Sequence, residues 1–440
     1  MFLRYKKRIL VVLLGDLFCF YISLFLALFI RYGYNFVKIS YFNSLIHFSV
    51  VFLIWILLFT ISRLYEFPYL ENKKEFYFLA LKLFLVGSIF STILFFIFTP
   101  RFIPKLVLIL TIFFSLILLF IWRTFVNWLL KERKRKVIII SKAKEVEEVE
   151  EFIKNHPAFG LEIIGVFKEF NYPIIEEKLK EVNKSKIIYL IVDEKDFKEV
   201  KEGVKNLNRK LSFLKFEEFY ERLTGKVALS LIDEEWFEKI YFRKNYKIYD
   251  FLKRTSDFIG GIILFIVSLP LWPIISILIK IDSKGPVLYK SKRIGKSEKE
   301  FLIYKFRTMI KDASKVGPSW TLKNDKRITR IGKILRYTHL DEVPQVLNII
   351  KGDTSFVGPR PEEKDLVELF KKEIPFYKYR MLIKPGIIGW AQINYSHGAS
   401  IEDAIEKLKY DFYYLKYRSL SFDFLIAIKA WRIPFEIKTH

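Results

Sequence analysis

Residues 258–281, FIGGIILFIVSLPLWPIISILIKI, are the stretch on which the architecture turns. The run is about as long as the 20 or so apolar residues needed to cross a bilayer. Pro270 and Pro273 fall near its middle, where proline deletes a backbone hydrogen bond and bends a helix. A bent helix can leave by the leaflet it entered, with the Ser268 hydroxyl able to satisfy a freed carbonyl. Leu269 separates Ser268 from Pro270, so sequence alone does not tie that serine to the break. Lys253, Arg254 and Asp257 mark the entry. A kinked full span is the alternative, and the two readings put everything after residue 281 on opposite faces of the membrane.

Four further apolar runs precede it, at roughly residues 9–30, 45–62, 79–98 and 106–130, each of spanning length. Arg4, Lys6, Lys7 and Arg8 precede the first; Arg63, Lys73 and Lys74 follow the second; Lys131, Arg133, Lys134, Arg135 and Lys136 follow the fourth. The alternate loops hold only Arg31 and Lys38, then Arg101 and Lys105. This asymmetry predicts a four-helix transmembrane bundle with both ends in the cytoplasm. Arg123, near the end of the fourth run, is expected to snorkel to the headgroups. No small-residue cleavage site follows the first run and more spans come after it, so it reads as an uncleaved anchor.

Composition agrees. A chain of 440 residues implies two or three domains. Hydrophobic residues at 52% beside 28% charged residues fit apolar spans joined to a charged cytoplasmic part. The net charge of +25 suits either nucleic acid or an anionic membrane surface. No nucleic-acid-binding motif accompanies the basic residues, so the membrane is the expected partner. Cys19 is the sole cysteine and permits no intrachain disulfide.

The spans fill a first domain, 1–135. In the second, 136–235, Lys136–Ser141, Leu161–Phe167 and Lys186–Val192 read as buried strands. They alternate with helix-periodic segments such as Ala143–Lys154 and Glu194–Leu207, which predicts a small Rossmann-like parallel α/β domain. A dinucleotide site would need glycines after the first strand. The turn there is Ser141-Lys142-Ala143-Lys144, so a structural or regulatory role is expected instead. The third domain, 236–440, opens on Trp236–Lys253, whose aromatic and basic residues suit either the headgroup layer or a helix docked on the preceding domain.

Within the third domain, Asp341 and Glu342 stand side by side between Arg336 and Arg360. Adjacent side chains on a helix diverge by about 100°, so this pair is a poor salt-bridge design, but at a helix end both can reach one cation. Guanidinium forks on both flanks suit a substrate with several phosphates. The surrounding blocks come in a fixed order. Gly285-Pro286-Val287, Arg293 and Gly295 lead to Lys305-Phe306-Arg307-Thr308-Met309. Asp325, Arg327-Ile328-Thr329-Arg330, Gly332 and Leu335-Arg336 follow. Then come the acid pair, Val357-Gly358-Pro359-Arg360-Pro361, Lys384-Pro385-Gly386 and Gly389-Trp390-Ala391-Gln392-Ile393-Asn394. Over roughly residues 250–440 this arrangement resembles the bacterial sugar transferase family, the polyprenyl-phosphate hexose-1-phosphate transferases.

The resemblance implies a mainly α-helical monotopic catalytic domain with a re-entrant membrane helix broken at Ser268 and Pro270. It implies transfer of a hexose 1-phosphate from a UDP-sugar to undecaprenyl phosphate, releasing UMP, as the first membrane step of exopolysaccharide, capsule or O-antigen synthesis. By the motif match Asp341 is the nucleophile, forming an aspartyl phospho-sugar intermediate. Glu342 helps hold a magnesium ion, with Asp341 as fellow ligand, or a proton. Lys305, Arg307, Arg336, Gln345, Pro359, Arg360, Pro361 and Gln392 are the expected substrate-binding residues. Gln345 and Asn348 read equally well as structural, and Tyr410, Asp411, Tyr413 and Tyr414 as a packing helix. Ile388 stands where relatives often carry threonine. His339 and His397 are not spaced as a metal pair.

The implied setting is the inner, cytoplasmic membrane, multi-pass, with the catalytic part facing the cytoplasm and a homo-oligomer left open. Two other functions remain on the table. One is a non-catalytic membrane scaffold for polysaccharide assembly. The other is an inverting glycosyltransferase that moves the sugar without its phosphate. The matched motifs do not name the sugar.

Overall fold

The structure is a computed structural model and describes residues 2–62, 64–65, 74–98, 105–129, 135–180, 187–205, 210–242, 246–311, 313, 325–395, 398 and 400–430. Arg63, Lys73, Arg101, Lys131, Arg133, Lys134, Arg243, Lys244 and His397 lie outside them. The chain divides into two compact units, Met1–Leu223 and Thr224–His440, so the division falls upstream of the expected boundary at 235.

The first unit opens with three long helices, α1 (Phe2–Ile61), α2 (Lys74–Phe98) and α3 (Lys105–Leu129). Gly33, with φ 71°, breaks α1 in a conformation that side-chain-bearing residues rarely adopt. Ile9–Gly33, Phe76–Ile93 and Leu106–Val126 are long and apolar enough to cross a membrane, and the expected second run appears as the shorter apolar helix Ser44–Thr60. The bundle interior is aromatic: Phe20 meets Trp55 edge-on at 5.2 Å, and Trp55 meets Phe84 at 4.8 Å. The exterior is apolar too, with Phe18, Ile46 and Phe78 exposed. That combination suits hydrocarbon rather than water on the outside. This part is a membrane protein.

Arg123 corrects the sequence reading. It does not snorkel; it is 2% exposed and its Nε donates to Asp16 at 3.1 Å, with Nη2 on the other Asp16 oxygen at 2.5 Å. Its Nη1 donates to the Leu64 carbonyl, and its guanidinium lies 4.9 Å from the Tyr65 ring centre. Asp16, at 0% exposed, pairs with no other cation among the described residues, so the pair ties α1 to α3. Arg123→Met should therefore destabilise the bundle by about 3–5 kcal/mol, the usual cost of stranding a buried charge. Asp16→Leu together with Arg123→Met should recover most of it. Unfolding midpoints in detergent check this, and a double variant no better than the single would show that the pair is not coupled.

After the helices comes a four-stranded parallel sheet, β1 (Arg135–Ile140), β2 (Leu161–Phe167), β3 (Ile188–Val192) and β4 (Leu211–Lys215), in the order β2-β1-β3-β4. Val137–Ile140 are fully buried, as a central parallel strand requires. Helices α4 (Val146–Asn155), α5 (Tyr172–Lys180), α6 (Phe197–Gly203) and α7 (Phe216–Thr224) connect and flank the strands. At the crevice between β1 and β3, where such sheets bind ligands, two amides of the turn after β1 are engaged within the chain. The Lys142 amide donates to Asp193 at 3.0 Å and the Ala143 amide to Ser141 Oγ at 3.1 Å. Those two turn amides are therefore already bonded within the chain.

In the second unit, α8 (Lys247–Ser268) and α9 (Leu271–Asp282) meet at 60°. The break has a plain cause. Pro270 has no N–H for the Ile266 carbonyl, which takes the Leu269 amide at 3.3 Å instead. Ser268 does belong to the break: its Oγ donates to Phe265 O at 3.1 Å and accepts from Trp272 Nε1 at 3.2 Å. Pro273 does not interrupt anything, because it lies in the first turn of α9, where its missing N–H would have had no helical partner. Ile275 and Ile279 are buried against Phe306 and Leu335, while Ile263, Ile266, Val267, Ile277 and Ile281 stay exposed. One face of the bent pair therefore packs on protein and the other faces outward unpartnered.

The rest of this unit is built on that pair. A hairpin of β5 (Leu288–Ile294) and β6 (Glu300–Phe306) leads to α10 (Arg330–Tyr337), a 3₁₀ turn over Leu340–Gln345, and α11 (Val346–Lys351). The short parallel pair β7 (Ser355–Val357) and β8 (Gly386–Ile388) frames α12 (Lys364–Glu373). Helices α13 (Trp390–Asn394), α14 (Ile401–Tyr417) and α15 (Leu420–Ala430) close the unit. The segment read as interfacial divides. Phe237 is fully buried, stacked 3.9 Å from Tyr379 and edge-on to Phe412, whereas Ile248 and Phe251 are exposed.

Candidate active site

Asp341 and Glu342 sit in the 3₁₀ turn, which His339 opens with φ 56°. A left-handed residue that is not glycine is strained by roughly 1–2 kcal/mol, and this one reverses the chain after α10. The reversal aims the two acids differently. Glu342 Oε1 receives Lys305 Nζ at 2.6 Å and Arg360 Nη2 at 2.9 Å. Asp341 is 8% exposed, and among the described residues its carboxylate makes no hydrogen bond or ion pair.

Their electrostatics differ accordingly. Burial opposes charge on Glu342, but Arg360 and Lys305 outweigh it and hold this carboxyl far below the usual carboxylate range. In this arrangement the charged form of Glu342 is the favoured one. Burial pushes Asp341 the other way, above its ordinary value, with Lys305 pulling back and Glu342 adding to the rise. A buried carboxylate with raised basicity and no hydrogen-bond or ion-pair partner among the described residues is a chemically available one.

Each cation owes its place to a different element. Lys305 extends from β6, whose neighbour Tyr304 is bonded through its amide to Asn348 Oδ1; the Asn348 Nδ2 donates to Leu302 O at 2.6 Å. Asn348 is thus structural, locking β6 to the helix that follows the dyad. Arg254 of α8 caps that same helix, giving Nη1 to Ile349 O and Nη2 to Ile350 O, each at 2.7 Å. Arg360 is steadied through its backbone carbonyl, which accepts from Arg380 Nη2 at 2.6 Å, while Arg380 Nε is paired with the buried Asp411. Pro359 and Pro361, both buried, stiffen this loop, and the Pro359 carbonyl accepts from the Gly386 amide.

Arg336 is not on either acid. Its Nε donates to Thr308 Oγ1 at 2.9 Å, within electrostatic reach of Asp341. Gly332, one turn earlier, has no room for a Cβ, which would collide with the Thr308 carbonyl oxygen. That contact explains the motif glycine. Arg307 also lies apart from the dyad: its Nη2 bonds Ser283 O and Oγ at 2.7 and 2.9 Å, and Nε and Nη1 are buried without partners. Gln345 is 2% exposed, with its Nε2 buried and unpartnered. Gln392 is committed elsewhere: its Oε1 accepts the Gly389 amide at 2.7 Å and caps α13.

Sequence reading missed Arg254, Ser283, Thr308 and Arg380. Thr308 and Arg307 were legible only as one motif block; Arg254 and Arg380 carried no signal beyond their charge, because carbonyl-directed arginines have no spacing rule. Among the described residues no three or more His, Cys, Asp or Glu side chains gather as a metal site. A hard cation here would have to draw on Asp341, the second oxygen of Glu342 and a ligand's own oxygens.

Comparison with known proteins matches residues 248–436 to the bacterial sugar transferase family. The UDP-N-acetylgalactosamine-undecaprenyl-phosphate N-acetylgalactosaminephosphotransferase of Aeromonas hydrophila is 40% identical over 212 residues, 48% of this chain and 49% of that protein. The UDP-glucose:undecaprenyl-phosphate glucose-1-phosphate transferase of Escherichia coli K12 is 36% identical over 188 residues, 42% of this chain and 38% of that protein. Similarity thus spans about half or less of these two relatives. The exopolysaccharide production protein PSS of Rhizobium leguminosarum is 39% identical over 181 residues, 40% of this chain but 90% of the relative. Because this chain covers nine-tenths of that smaller protein, and its second unit carries the ordered motif blocks and the family match on one folded body, the chain belongs to the bacterial sugar transferase family.

Proposed function

We propose that this chain moves a hexose 1-phosphate from a UDP-sugar to undecaprenyl phosphate, leaving undecaprenyl-diphosphate-sugar and UMP. The observation that carries the reading is the split character of the dyad: Glu342 clamped by Lys305 and Arg360, Asp341 buried and unpaired. An Asp341 oxygen attacks the phosphorus bearing the sugar. The bond from that phosphorus to the bridging oxygen breaks, and UMP leaves with the electron pair. A phosphate oxygen of the lipid then attacks the same phosphorus, and the Asp341 carboxylate departs unchanged. Splitting the transfer this way lets one pocket serve two bulky substrates in turn.

Glu342 orients Lys305 and Arg360, whose forks and ammonium group face a donor's phosphates; Arg336 adds positive potential on the Asp341 side. Magnesium fits the donor set, since it takes one or two carboxylates together with substrate phosphates. Asp341 and the unclaimed oxygen of Glu342 would hold it, and bound there it neutralises diphosphate charge. For the membrane we propose four N-terminal spans and a re-entrant course for α8 and α9, with the dyad on the cytoplasmic face. The bend at Pro270 and the outward apolar face of the pair support it.

The test is product analysis. Vesicle-embedded protein is given undecaprenyl phosphate and a panel of UDP-sugars, and UMP is expected with one or more of them. UDP release instead would make it a glycosyl transferase, and no nucleotide release from any donor would favour a scaffold.

A further inference from the structure

The base of the bent helix pair borders a cavity of about 210 Å³ that the reaction above does not use. Five cations line it: Lys253, Arg254, Lys296, Lys384 and Arg418. Only two acids, Asp250 and Asp257, share the wall, so the cavity holds an excess of positive charge. None of these seven is a hydrogen-bond or ion-pair partner of Asp341 or Glu342.

Local partners leave most of that charge unanswered. Arg254 bonds two neutral carbonyls. Lys253 pairs with Asp423 at 2.8 Å, but Asp423 also serves the Tyr249 and Tyr414 hydroxyls. Arg418 is 5% exposed, stacked 3.5 Å over the Tyr246 ring, and its Nε is buried with no partner. The ammonium groups of Lys296 and Lys384 make no hydrogen bond or ion pair among the described residues. Burial, then the neighbouring Arg254, holds Lys384 below the usual lysine range, with Asp257 pulling back.

Position narrows the choice of anion. The cavity opens where Lys253 and Arg254 give way to the apolar run, and Phe251, Phe258 and Ile259 on the same helix are exposed. A volume of 210 Å³ is below the roughly 300–1,000 Å³ of typical ligand pockets, which fits a phosphodiester better than a nucleotide. We infer that this cavity seats the phosphate headgroup of an anionic phospholipid whose acyl chains lie along the apolar face of α8. The inference rests on the proposed placement of the bent pair in the bilayer. The headgroup is a resident ligand, since a lipid phosphate that reacted would have to meet Asp341, which no cavity residue touches.

The experiment uses the full chain in nanodiscs of phosphatidylcholine containing phosphatidylglycerol, with retained lipid counted by native mass spectrometry. Wild type should keep phosphatidylglycerol through delipidation. Lys296→Ala with Lys384→Ala should bind it roughly 25-fold more weakly, at about fivefold per basic residue near a membrane surface. Lys296→Arg with Lys384→Arg should retain it, which separates lost charge from lost fold. Equal retention by wild type and the alanine double variant overturns the inference. So does phosphatidylglycerol retention that is unchanged while the KM for undecaprenyl phosphate rises, because the cavity would then belong to the acceptor. The lipid count needs no turnover, so a protein that keeps the lipid but releases no UMP would count against the transferase reading alone.

Discussion

Asp341→Asn leaves the protein folded and membrane-bound but lowers turnover beyond the roughly 10²–10⁴-fold typical of losing an acid-base helper. The fold survives because the Asp341 carboxylate holds nothing: it has no hydrogen bond or ion pair among the described residues, and an amide has the same shape. The clamp of Lys305 and Arg360 on Glu342 stays intact. Chemistry fails because an amide is a far poorer nucleophile than a carboxylate. Intact-mass measurement provides the second readout. Wild type incubated with a competent UDP-sugar and no lipid acceptor should gain one hexose phosphate, while Asp341→Asn gains nothing. Activity within about tenfold of wild type would remove Asp341 from the nucleophile role.

Cysteines placed on either side of the bent helix pair report its course with an all-or-none signal. In a Cys19→Ser background, Lys247→Cys and Lys284→Cys sit at exposed positions at the start of α8 and after α9. An impermeant thiol reagent on intact cells should label neither, and both should react once the membrane is opened. Labelling of position 284 alone in intact cells would establish a full span and put the dyad outside. Pro270→Ala then tests the cause. It restores an N–H opposite the Ile266 carbonyl, now bonded by Leu269, and removes the ring that bends the helix. A fraction of molecules should shift to the labelled form, with activity falling in the same proportion. An unchanged labelling pattern would mean that packing of Ile275 and Ile279 on Phe306 and Leu335, rather than the proline, sets the bend.

Much of this architecture was legible residue by residue. Apolar length in three of the four runs and alternation in the α/β region are local properties, and each survives translation into the structure because it depends on neighbours a few positions away. The bend at Pro270 is of the same kind, since a missing N–H acts within one turn. Sequence was least informative where a long side chain could reach more than one partner. Arg123 reads as a snorkelling residue until α1 brings Asp16 beside it, 107 positions away in sequence. Arg307 bonds Ser283 and Gln392 caps its own helix, partners that no spacing rule in the sequence reveals.

The dyad shows the same division most sharply. Sequence determined that two adjacent acids would stand among arginines in a turn stiffened by proline. Only the tertiary structure decided which acid is clamped and which is free. Lys305 arrives from a strand, Arg360 from a loop fastened by Arg380, and both converge on one oxygen of Glu342, while Arg336 is drawn aside by Thr308. A charged side chain's partner is chosen by distance and desolvation in the folded state, and neither quantity is a property of sequence spacing.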